Sequence, residues 1–93
     1  MNSYTTERFR TAFASLPMAV QAHARSAYRL FRQDARHPSL RFKRVHPSRP
    51  VYSVRIGLGY RALGVREGDA IIWFWVGSHA DYDQLLSSLG ERE

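Results

Sequence analysis

The sequence contains no cysteine. That excludes a disulfide framework and any thiolate metal site, and it makes the fold independent of an oxidising compartment. Acidic residues are scarce, eight Asp and Glu against fourteen Lys and Arg. Lysine is nearly missing too, because thirteen of the fourteen cations are arginine. No apolar run reaches membrane-spanning length, and the first ten residues lack the apolar core of a secretion signal, so the cytoplasm is the expected compartment. The glycines break strands instead of opening onto a helix, which excludes a glycine-rich phosphate loop. The four histidines are not placed with carboxylates at metal-ligand spacing, and Asp81 and Asp83 fall on different sides of a helix. Neither a metal nor another cofactor is expected.

What is present is a compact amount of everything a fold needs. Ninety-three residues make one domain, and 44% hydrophobic with 13% aromatic content is ordinary for a folded chain. The net charge of +6, with a pI near 10.5, points to a polyanionic partner, either nucleic acid or an acidic protein segment. Arginine suits both, since its planar fork matches phosphate and carboxylate.

The stretch 51–77 organises the chain. It holds three β-rich runs, at 51–56, 60–65 and 70–76, separated by short breaks containing Gly57, Gly59 and Gly68. The third run is apolar without alternation, as expected for a central strand covered on both faces. The first two mix apolar residues with arginine, as half-exposed strands do. A three-residue loop at Gly57, Leu58 and Gly59 sets Ile56 opposite Tyr60 and Val54 opposite Ala62 on a core face. Arg55 then lies opposite Arg61. Like charges in that position either splay into water or are held for an anion.

Before the meander, Phe9, Ala12, Phe13 and Leu16 recur at the spacing of a helical face, so a first helix is expected over 6–15. Pro17 ends it and suits the start of a second helix running to Gln33, with Val20, Ala24, Ala27, Tyr28 and Phe31 as its buried stripe. Arg25, Arg29, Arg32 and Arg36 form a basic ridge beside that stripe, which fits either a solvated face or a docking rail for an acidic partner. His37-Pro38 breaks the helix. Residues 40–45 alternate Leu40 and Phe42 with Arg41 and Lys43 and read as a strand with one basic face. A capping pattern from Ser78 to Asp81 opens a short last helix, with Tyr82, Leu85, Leu86 and Leu89 on its inner face and Gly90 as its stop. The fold class is therefore α+β: an N-terminal helical hairpin on one face of a small antiparallel sheet, a basic opposite face, and a short C-terminal helix.

This order of elements, with the segments HPSLRFKRV, VYSVRIGLGYRALGV and IIWFWVGSHADYDQLL, resembles the RelE/ParE superfamily of bacterial toxins from toxin–antitoxin modules. The likeness runs from about Phe9 to Leu86 and makes the whole of 1–93 a single toxin domain. Members of the RelE type cleave mRNA in the ribosomal A site without a metal, those of the ParE type inhibit DNA gyrase, and both are neutralised by an antitoxin. The family usually begins with a strand ahead of its first helix. Only residues 1–5 could supply it here, so a sheet of three to five strands is expected.

The resemblance implies roles for particular residues. Arg61 matches the phosphate-contacting arginine of the nucleases. Arg55 matches a strand arginine that either pins structure or contacts substrate, and Arg41, Lys43 and Arg44 lie on the strand that faces RNA. His79 and Tyr82 occupy the C-terminal position of an acid or base and a substrate-contacting aromatic, although Tyr82 also belongs to its helix's apolar face. The loop before the meander carries no glutamate base and offers only His37, Ser39 and His46. The implied function is a ribosome-dependent endoribonuclease held by an acidic antitoxin that meets Arg25, Arg29 and Arg32. The alternatives are a gyrase inhibitor without chemistry and a degenerate toxin that only binds an antitoxin.

Overall fold

The computed structural model describes residues 1–91, with side chains through residue 88. Its sheet has five strands in the order β1-β5-β4-β3-β2. They are β1 (Asn2–Thr5), β2 (Lys43–Arg44), β3 (Val51–Ile56), β4 (Tyr60–Glu67) and β5 (Ala70–Ser78). The helices are α1 (Glu7–Ala14), α2 (Met18–Gln33) and α3 (His79–Glu91). The α+β class and the helical hairpin are as expected. The sheet is mixed, however, because β1 runs parallel to β5 while every other pair is antiparallel.

The helical hairpin follows from its caps. Thr6 accepts the Phe9 N–H at 3.1 Å through its hydroxyl and so starts α1. Pro17 takes the N-cap of α2, where its missing donor costs nothing. Phe9, Phe13, Leu16, Val20, Ala24, Ala27 and Phe31 pack onto Val54, Ile56, Ala62, Ile71, Trp73 and Val76 of the sheet. Tyr28 departs from the expected stripe. It is 44% exposed, and its ring lies under the Arg32 guanidinium at 5.9 Å.

The hairpin of β3 and β4 has the expected register, with Ile56 opposite Tyr60, Val54 opposite Ala62 and Arg55 opposite Arg61. Gly57 turns the chain at φ +58, and a Cβ there would lie 2.9 Å from His23 Nδ1, so both backbone and space demand glycine. The middle strand is β4, not the third run of the meander, because β1 pairs on the far side of β5. The uninterrupted apolar run in β5 has two causes. Both its faces are covered, and a bulge opposite Leu63 and Gly64 leaves Phe74 between the paired Trp73 and Trp75. Trp73 and Val76 thus join the core under α1 and α2, whereas Phe74 and Trp75 join a second core under α3.

Three further expectations are corrected. The strand expected over 40–45 shrinks to Lys43–Arg44. A short 3-10 turn at Pro38–Leu40 precedes it, and Arg41 then adopts a left-handed φ of 46. Leu40, only 2% exposed, spends its side chain anchoring that turn to the core. Helix α3 continues through Gly90 to Glu91, and the Leu89 side chain lies outside the described residues. Finally, the sheet face opposite the hairpin carries Lys43, Arg55 and Arg61 but is not wholly basic. Helix α3 covers much of it, with Tyr82, Leu85 and Leu86 packed over Val51 and Leu63.

Candidate functional site

Strand alternation puts Ser53 and Arg55 of β3, Arg61 and Leu63 of β4, and Trp75 and Gly77 of β5 on the α3 side of the sheet. Lys43 shares that side through its pairing with Ser53, whereas Arg44 pairs with Tyr52 on the hairpin side. The two-residue strand therefore splits its cations between faces. Arg41, left-handed and exposed, belongs to neither.

Arg61 is the centre of this face. Its guanidinium lies over the Tyr82 ring at 5.5 Å. Its Nε and Nη1 atoms are buried and have no hydrogen-bond acceptor among the described residues. Two orphaned donors on a half-buried cation cost free energy, of the order of 1–3 kcal/mol each for fully buried ordinary groups. Such a guanidinium is a donor site whose complement is the oxygens of an anion. Arg55, across the ladder, is committed differently: its Nε donates to the Gly57 carbonyl at 2.9 Å and closes the hairpin loop.

His79 reaches the same aromatic ring from the start of α3. Its backbone N–H donates to the Gly59 carbonyl at 2.8 Å, tying the helix to the hairpin, and Ser78 caps the helix by accepting the Asp81 N–H at 3.2 Å. The imidazole meets Tyr82 edge-on at 5.7 Å, and its Nδ1 lies 3.1 Å from Asp83 Oδ2. The side chain is 49% exposed, so it is open to solvent as Tyr82 is not. Tyr82 is 5% exposed and donates its hydroxyl to Ser53 Oγ at 3.2 Å.

The loop histidines face their own backbone. His37 Nδ1 accepts the Ser39 N–H at 3.2 Å and lies 2.8 Å from its hydroxyl. His46, 5% exposed, accepts the N–H groups of Ser48 and Arg49 through Nδ1. Among the described residues no group of three or more His, Asp or Glu side chains is placed to hold a metal ion.

The sequence reading brought Arg61, His79 and Tyr82 together but missed three neighbours. Ser53 is fully buried and holds the Tyr82 hydroxyl. Asp83 meets His79, one helical turn being the distance that four residues span. Gly77, opposite Arg61, gives room to Trp75, whose indole would lie 2.7 Å from a Cβ at that position. Only the Gly77 pairing was legible, by extending the ladder from Arg61.

The second feature lies on the other side of the sheet. Between α1 and α2 a cleft of about 800 Å³ has walls of Phe9, Phe13, Ala24, Ala27 and Phe31 and a floor of Val54, Ile56 and Trp73. Arg10, Arg25, Arg29 and Tyr28 border it. Arg25 rests over Phe13 at 5.5 Å and Arg29 donates to Ser26 at 3.1 Å. Ser3, which also lines the cleft, has a buried hydroxyl with no partner.

A small basic sheet with a helical hairpin on one face and a C-terminal helix over an arginine on the other is the RelE/ParE architecture. The chain belongs to the ParE-like toxin domain family, whose model matches residues 18–84. Among solved structures, it is similar to one titled as the RelB–RelE antitoxin–toxin complex from Methanococcus jannaschii, with a TM-score of 0.67 at 17% identity over 88% of this chain and 96% of the other. It is also similar to a toxin of Helicobacter pylori, described as a copper-bound mutant, with a TM-score of 0.58 at 13% identity over 87% and 97% of the two chains. At these identities the likeness is one of fold. No curated protein matches the sequence significantly.

Proposed function

We propose that this toxin is an endoribonuclease that cuts mRNA on the ribosome, arrests translation and is restrained by an acidic antitoxin. The observation that carries the proposal is Arg61, with Nε and Nη1 buried and unpaired on the same face as the solvent-open imidazole of His79. In-line attack by a ribose 2′-oxygen, whose hydroxyl proton passes to solvent, forms a bond to phosphorus, breaks the bond to the 5′-oxygen and leaves a cyclic phosphate. The crowded phosphorane carries two negative charges, which the Arg61 fork stabilises as they develop. His79 then supplies a proton to the departing 5′-oxygen. Lys43 and Arg55 lie on the same face and favour the approach of a polyanion, and Arg41 and Arg44 add to that attraction without sharing the face.

The antitoxin reading draws on the other face. Arg25 and Arg29 border an apolar cleft and Arg32 follows on the same helix. An amphipathic acidic segment complements both properties. The similar fold from Methanococcus jannaschii is titled as a complex of toxin and antitoxin.

A second reading, inhibition of DNA gyrase without chemistry, is favoured by the proton inventory. Cleavage needs one group to take a proton and another to give one. The Tyr82 hydroxyl and the Nδ1 atoms of His37 and His46 are all engaged internally, which leaves His79 of these four candidates. Primer extension on a reporter mRNA with purified protein, with and without translating ribosomes, separates the readings. Codon-phased cuts that need ribosomes and disappear in Arg61→Ala are expected. No cuts from folded protein, with loss of supercoiling by gyrase, would move the function to the second reading, and neither effect would identify an inactive relic.

A further inference from the structure

The His79 ring is gripped at two points and open at a third. Asp83 Oδ2 lies 3.1 Å from Nδ1, Tyr82 meets the ring plane edge-on, and Nε2 has no partner among the described residues. Both members of the pair are well exposed, at 49% and 64%, so the contact adds little to stability. Its effect falls on the imidazole itself. In the neutral ring only one nitrogen carries a proton, and the hydrogen bond made by one nitrogen decides the state of the other. A carboxylate accepts and cannot donate, so the proton of the neutral ring sits on Nδ1, and the lone pair on Nε2.

We infer that Asp83 is a positioning residue that fixes the tautomer and orientation of His79, making Nε2 the atom that exchanges protons with substrate. Its catalytic consequence rests on the nuclease reading, but its structural content does not. Other charged or titratable groups near the ring are Tyr82, whose hydroxyl is given to Ser53, and Arg61, which shares the Tyr82 ring. The tyrosine hydroxyl is already committed and a guanidinium has no acceptor, so neither can replace the carboxylate. Asp81, two residues away and exposed, carries the same charge, while its bond to Ser78 is made by its backbone N–H. It is therefore a control of equal charge and different geometry.

The test uses full-length protein labelled with ¹⁵N histidine, observed at a pH where the imidazole is neutral. Wild type is expected to show His79 mainly as the Nδ1–H form, Asp83→Ala to move it toward the Nε2–H form, Asp83→Glu to restore part of the shift, and Asp81→Ala to leave it in place. If ribosome-dependent cutting is observed, Asp83→Ala should lower its maximal rate about tenfold, without raising the mRNA concentration needed for half-saturation. A tautomer unchanged in Asp83→Ala, or shifted equally by Asp81→Ala, overturns the inference. A shifted tautomer in a protein that never cuts mRNA supports the positioning and removes the nuclease reading.

Discussion

The hydrogen bond from Tyr82 to Ser53 decides whether Tyr82 is a framework residue, and a double-mutant cycle measures it. Ser53 is 0% and Tyr82 5% exposed, so neither oxygen regains water when the other is removed. Tyr82→Phe gives up the net bond, about 0.5–1.5 kcal/mol, and also leaves Ser53 unsatisfied, for a total of about 1–2 kcal/mol. Ser53→Ala should cost a similar amount by stranding the tyrosine hydroxyl. Replacing both partners removes the pair without leaving an orphan, so the double variant should be no worse than either single one. The coupling is then about 1–2 kcal/mol. Urea unfolding followed by the fluorescence of Trp73 and Trp75 gives each free energy from midpoint and slope. In a chain of this size the single variants correspond to melting temperatures lower by roughly 5–15 °C. Additivity within about 0.3 kcal/mol would refute the reasoning, because uncoupled sites behave that way. A second result would refute it from the functional side: a Tyr82→Phe variant with wild-type stability but no growth arrest would assign the hydroxyl to chemistry.

Other outcomes follow from particular contacts. Gly64→Ala should destabilise by about 1–2 kcal/mol in thermal unfolding, since its Cβ would lie 2.8 Å from both Ile71 Cγ1 and Trp73 Cε3. Gly59→Ala, with nothing within 4 Å of the new Cβ, should be neutral or slightly stabilising. Arg61→Ala should abolish growth arrest while leaving the melting temperature level or higher, because it removes two buried unpaired donors. Arg61→Lys keeps the charge but loses the fork, and a reduction of roughly 100-fold in cutting rate is expected. Charge reversal at Arg25 and Arg29 should weaken antitoxin binding most at low salt, measured by titration calorimetry across ionic strength, whereas unchanged affinity would make the ridge a solvated face.

The parts of this fold that were legible in the sequence are those governed by local pattern. Alternating residues and two glycines set the register of the β3–β4 hairpin, including Arg55 against Arg61. Thr6 and Pro17 set both helix starts. What escaped depended on partners distant in the chain. The four residues of β1 are mostly polar and exposed, and they become a strand only because β5 offers a free edge, with Asn2 donating to the Asp69 carbonyl at 2.8 Å. Alternation at Leu40 and Phe42 imitated a strand, yet burial of Leu40 bends the chain into a 3-10 turn and forces Arg41 left-handed. Within the site, the type of residue at Arg61 and His79 carried a signal. Ser53 and Asp83 carried none, because a buried serine and a surface aspartate become informative only when their neighbours are known.

The two faces of the sheet treat their arginines differently. On the hairpin side, Arg25 and Arg32 lie on aromatic rings and Arg29 bonds a serine at the solvent edge, so these cations remain hydrated and cost the fold little. On the α3 side, Arg55 is satisfied by Gly57, but Arg61 is drawn under the helix against Tyr82 without an acceptor for two of its nitrogens. A fold selected for stability alone would place an apolar residue there, since replacing a buried charge by a packed hydrophobe is commonly neutral or stabilising. Among the described residues the Tyr82 ring is the contact that meets this guanidinium, and two of its nitrogens have no acceptor. Such breaks of a local rule belong to sites whose compensation comes from outside. Under the proposed function, an RNA phosphate reaching Arg61 would regain hydrogen bonds that the fold forgoes, offsetting in binding part of what is given up in folding.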